Sequence, residues 1–148
     1  MISFDEARSR LLSDVAVLPP ERVPLAQAAG RVLAEDLRAR SPLPPFDASA
    51  MDGYAVALSA FEGDGPWTLP VVGESRTGAP SPSLVPGTTC RIFTGAPMPP
   101  GADAVVMQEV VSREGGAATF RARPRPREHV RSAGEDLAEG SLGLARGT

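Results

Sequence analysis

No lysine occurs in this chain; all 15 of its Lys+Arg positions are arginine, set against 18 Asp and Glu for a net charge of −3. That balance leaves no broad cationic face, which excludes nucleic acid as an expected partner. Without lysine there is also no phosphate loop of the kind that ends Gly-Lys-Ser or Gly-Lys-Thr. Cysteine is nearly absent. Cys90 stands alone, so no internal disulfide can form, which fits a reducing compartment. The one histidine, His129, has no second histidine or cysteine cluster with which to build a tetrahedral zinc site. No apolar run approaches the roughly 20 residues needed to span a bilayer. The opening MISFDEARSRLL is acidic and amphipathic and lacks the basic start of a signal peptide. The expectation is a soluble, cytoplasmic protein with no membrane partner.

Proline (16) and glycine (15) are plentiful, and 42 % of the residues are hydrophobic. This combination favours short strands and turns around a real core. Ser3 and Glu6 have capping-box spacing, and Phe4, Ala7, Leu11, Leu12 and Val15 recur at helical intervals, predicting a helix over 4–15. Pro24 and Gly30 bracket a second, short helix. Residues 31–37 read as extended, with Val32 and Ala34 facing inward. Strands are expected over 51–58, 67–75, 88–93, 104–111 and 117–122. Pro70 marks an edge or a bulge, 104–111 reads as buried on both sides, and Glu114-Gly115-Gly116 as a hairpin turn. The segment 137–148 is too short to fold alone and should pack back on the first segment. The fold class read from this pattern is mainly β with short helices (α+β). Residues 1–45 and 132–148 form a helical and extended domain into which a β-rich domain, 46–131, is inserted.

Three blocks carry acids beside tight turns. In PPFDASAMDGYAV (44–56), Asp52 precedes Gly53 at a strand start. It either caps that turn or aims its carboxylate into a cleft, with Ser49 and Tyr54 near enough to supply hydrogen bonds. In RIFTGAPMPPGADAVVMQE (91–109), Thr94-Gly95-Ala96-Pro97 is a tight loop whose N–H groups suit an anion. Thr94 itself is either a turn cap or a ligand hydroxyl. Asp103 reads as structural. Glu109 follows an apolar run, so it lies at a rim or pairs within a site. In VRSAGEDLAEG (130–140), Glu135 and Asp136 are adjacent; on a strand they would face opposite ways, so only one is expected in a cleft. Arg131 is the basic residue that could pair with Asp136 or with a phosphate. Arg121, Arg123, Arg125 and Arg127 alternate with Ala and Pro and read as a solvated edge, and Cys90 as buried and inert.

These three blocks, in this order, resemble the N-terminal half of the MoeA-type molybdenum insertases, the family that includes the gephyrin E domain. The resemblance implies a β-barrel-like domain inserted into an elongated first domain. It implies work in molybdenum cofactor biosynthesis: insertion of molybdate into adenylylated molybdopterin, with release of AMP and support from Mg2+. It assigns catalytic roles, and candidate metal ligation, to Asp52 and Asp136, and substrate binding to Ser49, Thr94, Glu109 and Arg131. It also implies a homodimer and a molybdopterin adenylyltransferase as the upstream partner. Since the family's third domain would follow the last residue here, this chain alone is expected to be inactive. A free-standing binding or dimerisation module is the competing reading. His129, Ser132 and Ala133 depart from the family's usual residues, but the Gly-Glu-Asp triplet at 134–136 does not.

Overall fold

Tyr54 and Val56 leave their strand on one side and Ala55 on the other, and all three are buried in hydrophobic clusters. That alternation organises the larger part of the chain. The computed structural model describes residues 2–148, which separate into two units: Arg38–Gly143, and the residues up to Leu37 together with Leu144–Thr148.

Among the described residues ten short strands occur in chain order. They are β1 (Leu37–Arg38), β2 (Ala48–Ser49), β3 (Gly53–Val56), β4 (Trp67–Ser75), β5 (Thr89–Ile92), β6 (Ala104–Met107), β7 (Val111–Glu114), β8 (Ala117–Phe120), β9 (Val130–Arg131) and β10 (Leu142–Leu144). Six of them form one sheet in the order β6-β3-β5-β4-β8-β7, with β1 paired to β10 and β2 to β9 separately. Within the large sheet only β4 and β5 run parallel. Its two outer strands, β6 and β7, are linked by the single 3-10 turn Gln108–Val110. A flat sheet of six strands would be about 24 Å across. Three linking residues span at most about 14 Å. The sheet therefore curls into a half-barrel, the barrel-like domain that the resemblance implies.

One face carries a cluster of Tyr54, Val56, Leu69, Ala104 and Phe120, with Phe61 edge-on to Phe120 at 5.5 Å between ring centres. On the other face Ala55, Cys90, Ile92 and Val105 pack with Leu84 and Ala96. Cys90 is fully buried, and burial pushes its thiol pKa up, as befits an inert side chain. The Asp103 carboxylate accepts from the N–H of Leu58 at 2.8 Å, which confirms its structural role.

In the smaller unit, helix α1 (Phe4–Ser13) starts where expected: Ser3 caps it by accepting from the N–H of Glu6. Leu33 exchanges backbone hydrogen bonds with the last residues, accepting from Gly147 and donating to Thr148. No helix among the described residues is long and apolar enough to cross a membrane.

Four local expectations need correction. The second helix is a single 3-10 turn, Leu25–Gln27. Along 31–37 the inward position is Leu33, while Val32 and Ala34 are exposed, because the backbone bonds to the terminal residues fix the opposite parity. The expected strand 104–111 breaks at Gln108, whose N–H turns back to the carbonyl of Asp52; β6 is thus an outer strand and is only half-buried at Val106. Pro70 lies on an inner strand, and the bulge falls just beyond it, between Val71 and Glu74.

Candidate functional site

The three sequence blocks meet through their backbones. β2 pairs with β9 on one side, Ala48 opposite Arg131 and Ser49 opposite Val130. On its other side Ser49 exchanges hydrogen bonds with the 94–97 loop, donating to Ala96 and accepting from Gly95. β2 is thus the middle of a three-segment layer. A cleft of about 400 Å³ opens beside it, lined among others by Phe46, Ser49, Thr94, Gly95 and Arg131.

Asp52 stands at the turn after β2. Its Oδ1 accepts from both the N–H and the hydroxyl of Thr94, each at 2.7 Å. The backbone donor, then the hydroxyl, favours the charged form and holds this carboxyl below its ordinary pKa. The next residue must be glycine. A Cβ on Gly53 would fall 2.1 Å from the carbonyl oxygen of Val106 on β6, an impossible approach. Beneath the turn, Arg91 donates to the Gly53 carbonyl at 2.6 Å and lies over the Phe93 ring at 4.7 Å. Its other amino group bonds Gln108. Arg91 thereby braces both the Asp52 turn and the end of β6.

The 94–97 loop is not an anion nest. The N–H of Thr94 serves Asp52, that of Gly95 serves Ser49, and that of Ala96 serves Phe93. A loop whose donors are all engaged internally has none to offer a ligand. Ser49 is buried and its hydroxyl closes a local turn, donating to the carbonyl of Met51 at 2.6 Å. It lines the cleft while its hydroxyl is engaged within its own segment.

Arg131 presents the cation of this cleft. Its Nε reaches Glu135 at 2.7 Å and its Nη2 reaches Asp136 at 2.5 Å. Both acids thus reach one guanidinium, contrary to the strand-based expectation. Gly134, with φ of +74°, turns the chain so that 135 and 136 no longer alternate across a strand. Arg131 and the N–H of Ser132 hold the Glu135 carboxyl below its usual range. Asp136 reaches the cleft only through Arg131. Glu109 lies elsewhere, on the 3-10 turn between β6 and β7, in a different hollow.

Two residues not singled out as site candidates tie the cleft walls together. Asp47 accepts from Arg127 at 2.8 Å and from the N–H of Ala133 at 2.9 Å. Arg127 first, then Ala133, lowers its pKa. Arg127 also donates to Ser132. Arg127 is exposed like Arg121, Arg123 and Arg125, but its side chain is tied to Asp47 and Ser132. Arg127 and His129 both have positive φ, 58° and 56°, which bends the chain just ahead of β9. No spacing in the sequence singles out this bracket.

Among the described residues no three His, Cys, Asp or Glu side chains converge to hold a metal. Asp52 and Asp136 are each engaged, with Thr94 and Arg131 respectively.

The profile of the family described as "MoeA N-terminal region (domain I and II)" matches residues 2–148. The molybdopterin molybdenumtransferase of Haemophilus influenzae is 41 % identical over 150 residues, covering 99 % of this chain and 37 % of that protein. The Synechococcus elongatus molybdopterin molybdenumtransferase is also 41 % identical, over 154 residues, covering 99 % of this chain and 38 % of its own length. Among solved structures, a molybdopterin biosynthesis moeA protein from Pyrococcus horikoshii superimposes with a TM-score of 0.89 at 35 % identity, covering 99 % of this chain and 40 % of that one. The chain therefore spans well under half the length of the relatives it matches.

Proposed function

We propose, since this chain belongs to the family of MoeA N-terminal regions, that it acts in molybdenum cofactor biosynthesis as the N-terminal part of a molybdopterin molybdenumtransferase. The observation that carries this reading is the meeting of the three family blocks at one cleft, where Thr94, bound to Asp52, and Arg131 both belong to the lining. The reaction would be insertion of molybdate into adenylylated molybdopterin with release of AMP. A cytoplasmic homodimer fed by a molybdopterin adenylyltransferase is the corresponding assembly.

The residues support a division of labour. An ionised Asp52 repels molybdate and suits a water, a cation or a hydroxyl of the substrate instead. Arg131 is the group for an anionic oxygen, and the pull of Glu135 and Asp136 sets its direction rather than leaving it mobile. Magnesium is commonly held by one or two carboxylates together with substrate phosphates. The share left to this chain would be the Asp52 carboxylate, which falls short of a complete site. Catalysis by this chain alone is not part of the proposal.

The test is genetic and biochemical. Fused to the rest of a relative's molybdenumtransferase in place of that protein's own N-terminal region, this chain should restore the activity of a molybdenum-dependent reductase in bacteria deprived of their own enzyme. Absence of restoration at normal protein levels, in a host where a relative does restore it, would overturn the reading.

A further inference from the structure

The half-barrel is left open between β6 and β7: no ladder joins these outer strands among the described residues. A hollow of about 370 Å³ lies along that seam, with Val106, Val110, Val111 and Ala122 as apolar lining, Glu109 and Ser112 on its wall, and Arg121 at its rim. Val110 is 57 % exposed there.

Arg121 begins the run Arg-Ala-Arg-Pro-Arg-Pro. Arg123 and Arg125 each precede a proline, which favours extended backbone. Pro124 between them is buried, while Arg121, Arg123 and Arg125 are exposed. Among the described residues none of the three side chains pairs with a carboxylate, although acids outnumber bases in the chain as a whole. The neighbouring Arg127 does find one, Asp47. So a strip of three unpaired guanidiniums leads away from an apolar hollow.

We infer that this seam and strip form a docking surface for an acidic segment of another protein that carries one apolar anchor residue. The anchor fills the valine-lined hollow, and the acidic residues run along Arg121, Arg123 and Arg125. Glu109 sits on the hollow's wall and fixes the polarity of docking, since a carboxylate placed beside it is repelled. Charge complementarity selects the occupant: arginine forks match carboxylates in pairs. A nucleic acid fits less well, because a strip of three charges on an acidic protein gives little counterion release.

The experiment uses the chain itself and a labelled twelve-residue peptide with one Leu near one end and alternating Asp and Glu after it, followed by fluorescence anisotropy. A dissociation constant of about 100 μM or tighter is expected, corresponding to a weak transient contact. Exchanging the Leu for Ala should weaken binding roughly tenfold through lost apolar burial. Combined Arg121→Gln, Arg123→Gln and Arg125→Gln substitution should abolish it, and Val110→Ser should remove the advantage of Leu over Ala. All four positions are exposed, so the fold should persist, which circular dichroism would verify. Absence of peptide binding overturns the inference, as does binding that survives the triple substitution or equal affinity for the Leu and Ala peptides. Equally tight binding of a single-stranded oligonucleotide, or of vesicles rich in anionic lipid, also overturns it. The readout does not involve molybdenum, so its failure would leave the reading of the cleft intact.

Discussion

Thr94 donates twice to one oxygen of Asp52, through its backbone and through its hydroxyl, both at 2.7 Å, and so joins the turn after β2 to the loop after β5. The two residues are 42 positions apart in sequence. Their contact fixes the direction of an ionised carboxylate next to Thr94, which lines the same cleft as Arg131. Thr94→Val keeps the backbone donor and removes the hydroxyl. The Asp52 carboxyl should then titrate at higher pH than in the wild type, by carbon-detected NMR. An unchanged midpoint would mean that the hydroxyl does not stabilise the charge.

Gly53 tests the fold around that turn. Any Cβ there meets the Val106 carbonyl, a backbone atom that cannot rotate away. Gly53→Ala should therefore separate β3 from β6 and destabilise the chain by about 3 kcal/mol or more. Urea denaturation measures it; a loss under about 1 kcal/mol would show that the strands can shift at little cost.

Arg127 adopts a left-handed backbone while bonding Asp47. Replacement by Ala loses the pair and keeps the strain; replacement by Gly loses the pair and relieves it. The Ala variant should be less stable than the Gly variant by about 1 kcal/mol. The pair itself is half-exposed and screened, so Asp47→Asn should cost only about 1 kcal/mol. Denaturation midpoints of the three variants give the comparison, and equal stability of the Ala and Gly forms would contradict it.

Acid should weaken the fold in a defined direction. Asp47, Asp52 and Glu135 all have lowered folded-state pKa values. A depressed carboxyl binds fewer protons folded than unfolded. Its stabilisation is complete above the ordinary carboxylate range and is lost as pH falls through the folded value. The melting temperature should be flat from pH 7 to about 5 and fall below about 4. A melting temperature that holds steady to pH 3 would contradict the assignment of these hydrogen bonds.

Local signals were legible where a single rule governs. Ser3 caps α1, β4 spans the predicted 67–75, and the turn at Gly115-Gly116 joins β7 to β8. What the sequence hides is set by distant partners. Val32 and Leu33 look equally apolar, and only the return of Gly147 and Thr148 decides which turns inward. The apolar run after Asp103 gives no warning that Gln108 turns back toward Asp52. At the cleft, Asp52, Thr94 and Arg131 could be named from their motifs. That Glu135 and Asp136 share Arg131, and that Asp47 joins Arg127, follow from backbone angles at 127, 129 and 134 that no spacing rule reports.

The most direct test of the account places Asp52→Asn in this chain fused to the rest of a relative's molybdenumtransferase, expressed in bacteria lacking their own enzyme. Asn still accepts both hydrogen bonds from Thr94, so the turn and the melting temperature should be retained while the charge is removed. The account predicts a normally abundant, folded protein and a loss of at least about tenfold in restored molybdenum-enzyme activity, about 1.4 kcal/mol of transition-state stabilisation. Wild-type activity in that variant would mean that the Asp52 carboxylate is a turn cap and nothing more.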